Sequence, residues 1–138
     1  MKNNVYINAP MLASKDLDEI FRSKYSDNTD FDFVLEHGLL PPDMIVCVFL
    51  LAQSIGYDAA YDLIKFVVLN IWKAVTGKNN SNTDNETKIQ INLSDKNESE
   101  KVTNHKTITV SVSYKMDSDE RQNVIDMALK SLLSEKNK

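Results

Sequence analysis

Residues 44–51 read MIVCVFLL, Met44-Ile45-Val46-Cys47-Val48-Phe49-Leu50-Leu51, eight consecutive positions without a polar side chain. Pro41-Pro42-Asp43 introduces this run and Gly56 closes it after Gln53 and Ser54. We read it as the first of two consecutive apolar helices. Asp58 can cap the second, which runs to about Thr76 with Gly77 beyond it. Its positions Tyr61, Ile64, Val67, Val68, Ile71, Trp72 and Val75 fall on one helical stripe. Leu63, Phe66 and Leu69 widen that stripe past what one core contact needs. Only Asp62, Lys65, Asn70 and Lys73 are left for a narrow polar side.

Outward from this pair, the N-terminal part reads as helical too. Val5-Tyr6-Ile7 is a short β-prone run stopped by Pro10. Ser14 precedes Leu17, Ile20, Phe21 and Tyr25 on one face, with Asp16, Asp18 and Glu19 in the first turn. Cap and dipole-matched acids together predict a helix near 15–25. A short helix carrying Phe31, Val34 and Leu35 follows, with Gly38 as its terminator.

The composition then changes. Residues 78–87, KNNSNTDNET, are polar and aperiodic and read as a linker. Beyond them the apolar period is two. Ile89, Ile91 and Leu93 alternate with Gln90 and Asn92; Ile108, Val110, Val112, Tyr114 and Met116 alternate with Thr109, Ser111, Ser113 and Lys115. These are antiparallel strands with one wet face. Asp117 with Glu120 opens a last helix, whose stripe is Val124, Ile125, Ala128, Leu129, Leu132 and Leu133. Packing that stripe on the apolar face of the hairpin is the economical arrangement.

The expected fold is therefore α+β: a helical bundle module over 1–77, a linker over 78–87, and a β-hairpin with a C-terminal helix over 88–138. The hairpin gains a third strand if Val5-Tyr6-Ile7 returns to it. A two-stranded ribbon is marginal in water, so either that segment or a second chain must complete the sheet.

Composition bounds the function by exclusion. The chain has 138 residues and a formal charge of −4. Residues 1–77 hold six Lys/Arg against ten Asp/Glu, and 78–138 hold ten against ten. Neither half is basic, and only Arg22 and Arg121 are arginine, so no nucleic-acid partner is expected. One cysteine excludes an internal disulfide framework and suits a cytoplasmic protein. The N-terminus has no apolar run of the secretory type.

Three constellations tempt. His37, Asp43 and Cys47 could make a thiolate site, but Cys47 sits in the most apolar stretch and reads as a buried thiol. Asp27, Asn28, Asp30 and Asp32 miss the calcium-loop register, since Phe31 or Phe33 falls where a ligand or glycine is needed. His105 has no partner nearby in sequence. No metal, cofactor or catalytic residue is expected.

What departs from a bland domain is the apolar breadth of 44–75. The plain reading is a bundle centre. The functional reading makes Phe66, Leu69 and Trp72 a contact surface for a protein partner or another copy. The chain is then a non-enzymatic interaction module, an adaptor, regulator or inhibitor. One alternative is a membrane-associating protein using a 44–75 helical hairpin, although the apolar run is short of the roughly 20 residues a span needs. The other is a small enzyme whose site is assembled from distant residues.

Overall fold

The computed structural model describes residues 2–9, 14–25, 27–33, 44–78, 86–99, 101–113 and 116–134. The chain is α+β, but among the described residues the first element is a strand and the helices form no bundle. Its order is β1 (Asn3–Asn8), α1 (Ser14–Tyr25), β2 (Thr29–Phe33), β3 (Met44–Ala52), α2 (Tyr57–Lys78), β4 (Glu86–Lys96), β5 (Val102–Ser113) and α3 (Ser118–Leu132). The strands form one mixed sheet in the order β2-β1-β3-β4-β5.

The apolar run departs furthest from the helical expectation. Residues 44–52 are the central strand, not the first half of a helical pair. β3 pairs parallel with β4 along its whole length and antiparallel with β1 from Val46 to Leu50, so its middle has a strand neighbour on both sides. Ile45, Cys47, Phe49 and Leu51 are buried beneath the helices, while Met44, Val46, Val48 and Leu50 lie half-covered on the other face. Both faces are apolar, so the period of two is invisible in hydrophobicity. What remained was the β-branched content, Ile45, Val46 and Val48, and a length that suits a strand.

Phe31 is a second correction. It lies in β2, where Thr29 and Phe31 point inward and Asp30 and Asp32 outward, rather than in a short helix. Val34, Leu35 and Gly38 lie outside the described residues. Val5-Tyr6-Ile7 does enter the sheet, but between β2 and β3, not beside the hairpin. The hairpin β4–β5 is thus the end of a five-stranded sheet, not a free ribbon.

The topology is two inverted β-α-β units, β1-α1-β2 and β3-α2-β4, placed back to back. Each crossover joins parallel neighbours. Such crossovers are right-handed, and because β1 and β3 run oppositely, that hand puts both helices on one face. α3 joins them there through Ile125, Leu129 and Leu132. α2 therefore lies between α1 and α3 and over the sheet. That position accounts for its wide apolar girth within the chain's own core. One core links Val5, Ile7, Phe49 and Ile91 of the sheet with Phe21, Ile64, Ile71 and Leu129 of the helices. The sheet thus spans both halves of the sequence on either side of 79–85, which lie outside the described residues.

Local signals hold the helices in place. The Asp117 carboxylate accepts the Glu120 N–H at 2.8 Å and caps α3. Arg22 donates to Asp18 at 2.6 Å and to the Phe31 carbonyl at 2.8 Å, tying α1 to the edge strand β2.

Candidate functional site

Phe66, Leu69 and Trp72 do not form one exposed patch. Trp72 is 2% exposed, with the Arg121 guanidinium 5.5 Å from its ring. Phe66 packs edge-on against Phe21 and Tyr25, at 6.0 and 5.3 Å, and Lys24 covers it at 4.8 Å. Leu69 is partly buried against the same core.

Cys47 is fully buried between β1 and β4, and burial pushes its thiol up to about 12. A thiol so placed stays protonated and out of reach of a substrate. His37 and Asp43 lie outside the described residues. Asp30 and Asp32 stand apart on β2, and no group of three or more potential metal-ligating side chains occurs among the described residues.

His105 does find partners. Its Nδ1 is 3.0 Å from Ser94 Oγ and its Nε2 is 3.2 Å from Thr107 Oγ1. Thr107 donates to Asn92 Oδ1 at 2.7 Å, and Asn92 donates to Gln90 Oε1 at 3.2 Å. This chain of polar groups spans β4 and β5 on the face that the helices leave open. Ser94 is 2% exposed, which denies its hydroxyl the access a nucleophile needs.

That open face is the distinctive surface. The strand register lays it out in rows. One row runs Asp32, Tyr6, Val48, Asn92, Thr107. Beside it lie Asn8, Val46, Gln90 and Thr109 on one side, and Asp30, Asn4, Leu50 and Ser94 on the other. The centre is an apolar file along β3, flanked by neutral amides and Tyr6. Acids stand at the β2 edge, and hydroxyls and an imidazole at the β5 edge. At one end Lys96, 7% exposed, reaches across the small Ala52 to donate to Asn4 Oδ1. The Asn8 Oδ1 is buried without a hydrogen-bond partner.

Sequence reading missed this face because it exists only in register. Tyr6, Val48 and Asn92 come from strands far apart in the chain. The alternation Asn4-Val5-Tyr6-Ile7-Asn8 and the wet sides of β4 and β5 were its signals, each confined to one strand or hairpin.

Two further features lie elsewhere. A cavity of about 200 Å³ opens where β1 and β2 begin, lined by Asn3, Tyr25, Asn28, Thr29 and Asp62 among others. Burial and the Asp62 charge raise the Tyr25 hydroxyl, keeping it a neutral donor. Between α2 and α3, Tyr61 donates to Asp126, and Lys65 pairs with the same carboxylate at 3.2 Å. Burial and the Asp126 contact push the Tyr61 phenol up to about 12. No helix among the described residues is long and apolar enough to cross a membrane.

No family model matches the chain, and no curated protein or solved structure matches it either.

Proposed function

We propose that this chain is a non-enzymatic interaction module whose working surface is the open face of the sheet. The observation that carries the reading is the file Met44, Val46, Val48 and Leu50, half-covered in the middle of a face with no described helix over it. A sheet in a two-layer fold can leave one face wet, but that face is then polar along every strand. Here the central strand is apolar on both faces, and its neighbours β1 and β4 supply Asn, Gln and Tyr. An apolar centre inside a polar rim is the composition of a protein contact surface. The helical-hairpin route to a membrane is not retained, because 44–52 is a strand.

The test is capture with wild-type chain and with Val48→Lys from the cell of origin. A protein that is held by the first and lost from the second is then purified and titrated. The expected result is saturable binding by the wild type and at least tenfold weaker binding by Val48→Lys. Equal binding by both removes the open face as the working surface.

A further inference from the structure

We propose that the occupant of the open face is a second copy of this chain, stacked sheet on sheet about a twofold axis that runs along β3. This rests on the open face being the working surface.

Size is the first argument. In the stack nine residues of β3 face their mates, the six of β1 face β4 and the five of β2 face β5, which at about 3.3 Å per residue and about 4.8 Å between strands is a footprint of roughly 500 Å² in projection. With side chains standing out of that plane, this suits the small end of specific interfaces, roughly 600 Å² of accessible surface per partner.

Charge placement is the second, and it selects both the partner and the orientation. The only carboxylates on the central rows are Asp30 and Asp32, both on β2. The opposite edge of the same rows carries His105 and Thr107, which bring an imidazole and a hydroxyl. A twofold axis along β3 exchanges the two edges. It lays β2 of each copy over β5 of the other, Asp32 over Thr107 and Asp30 over His105. β1 then lies over β4, so Tyr6 meets Asn92 and Asn8 meets Gln90. Val46, Val48 and Leu50 meet their own symmetry mates, an isologous contact. Amides and hydroxyls both donate and accept, so a rim built of them can pair with a copy of itself. The other stacking, with the axis across the strands, sets β2 on β2 and brings carboxylates together. Lys2 and Lys96 come near each other at one end of the chosen stack, but Asp30 already pairs with the first and Asn4 with the second. Aligned sheets of this twist cross at about 30°, so the central rows hold their register and the corners diverge.

The experiment is sedimentation equilibrium of the full chain at about 1–100 µM, which covers the weak end of the µM-to-pM span of such interfaces, with circular dichroism to check folding. The wild type is expected to be a dimer, and Val48→Lys a folded monomer. Thr107→Asp, at an exposed edge position that tolerates change, sets Asp32 against a second carboxylate and should weaken dimerisation at least tenfold. An equimolar mixture of Thr107→Asp with Asp32→Lys should recover a heterodimer, because only across copies does residue 32 meet residue 107. A wild-type monomer throughout the range overturns the second copy as occupant, while the reading of the face itself is decided separately by titration with the captured protein. A dimer indifferent to Val48→Lys forms through another surface and overturns the second copy as occupant of this face, again leaving the face itself to the titration. A dimer that Val48→Lys breaks but the edge pair does not modulate overturns the stacking proposed.

Discussion

Tyr61, Lys65 and Asp126 join α2 to α3 through one carboxylate oxygen, and their titration is the most direct residue-scale test. Burial alone would raise the Asp126 carboxyl, but the hydrogen bonds from Tyr61 and Lys65 and the charges of Lys65 and Lys130 outweigh it and hold it below the usual carboxylate range. A carboxyl depressed in the folded state stabilises above its unfolded value of about 3.9, and that contribution fades as pH falls through it. Asp126→Asn should therefore lower the melting temperature at pH 7 by an amount equivalent to about 1 kcal/mol. The gap to wild type should narrow below about pH 4. A gap that is constant from pH 7 to pH 3 would show that the carboxylate contributes no charge-dependent stability. Cys47 is the second case at this scale. In the inner row it sits between Ile7 and Ile91. Cys47→Ala should lose about 1 kcal/mol through a small cavity. The native thiol should resist labelling until denaturant is added, and rapid native labelling would contradict the burial.

At the scale of elements, α3 is a separable claim. Ile125, Leu129 and Leu132 are buried in the core that includes Ile89, Ile91, Val110 and Val112. Leu129→Asp places a carboxylate there and should cost several kcal/mol, a large part of the roughly 5–15 that a domain has. An unchanged melting temperature in that variant would mean that the helix is not docked. The elements also show where sequence was readable. β4, β5 and α3 each carry one apolar face, so Ile89-Gln90-Ile91-Asn92 and the Val124–Leu133 stripe announced their periods directly. β3 carries two. Val46 and Val48 are apolar toward the open face as Ile45 and Cys47 are toward the helices, and that symmetry erased the alternation. β2 is only five residues long, too short for Phe31 to declare a period against its flanks. The open face was legible only in pieces, as the wet side of β4 and β5 and the alternation of residues 4–8. Its rows take one residue from each strand, and register is a property of the fold, not of any single segment.

For the whole molecule, the consequence of a shared sheet is that the halves do not stand alone. β4 pairs with β3 along nine residues, from Met44 opposite Lys88 to Ala52 opposite Lys96. A fragment of residues 88–138 loses that ladder and half of its core, so it should be unfolded in isolation by amide chemical-shift dispersion. A folded fragment would show that the β3 ladder is not needed to hold the hairpin and α3 together. Removing residues 1–9 should be equally damaging, because β1 is flanked on both sides and its loss splits β2 from the rest of the sheet.

The place of β3 at the centre also sets a schedule for a ribosome making this chain. β1 is finished first but waits for both of its neighbours. β3 emerges with β1 ready on one side and nothing on the other, because the last residue of β4 lies 44 positions beyond the last residue of β3. At about 5–20 residues per second, MIVCVFLL spends roughly 2–9 s with one backbone edge bare and β4 incomplete, and for roughly the first half of that time α2 is incomplete as well. Synthesis thus passes through an interval in which the most apolar segment of the nascent chain is a template for its neighbours on the same messenger, and rare codons between 53 and 96 would lengthen it.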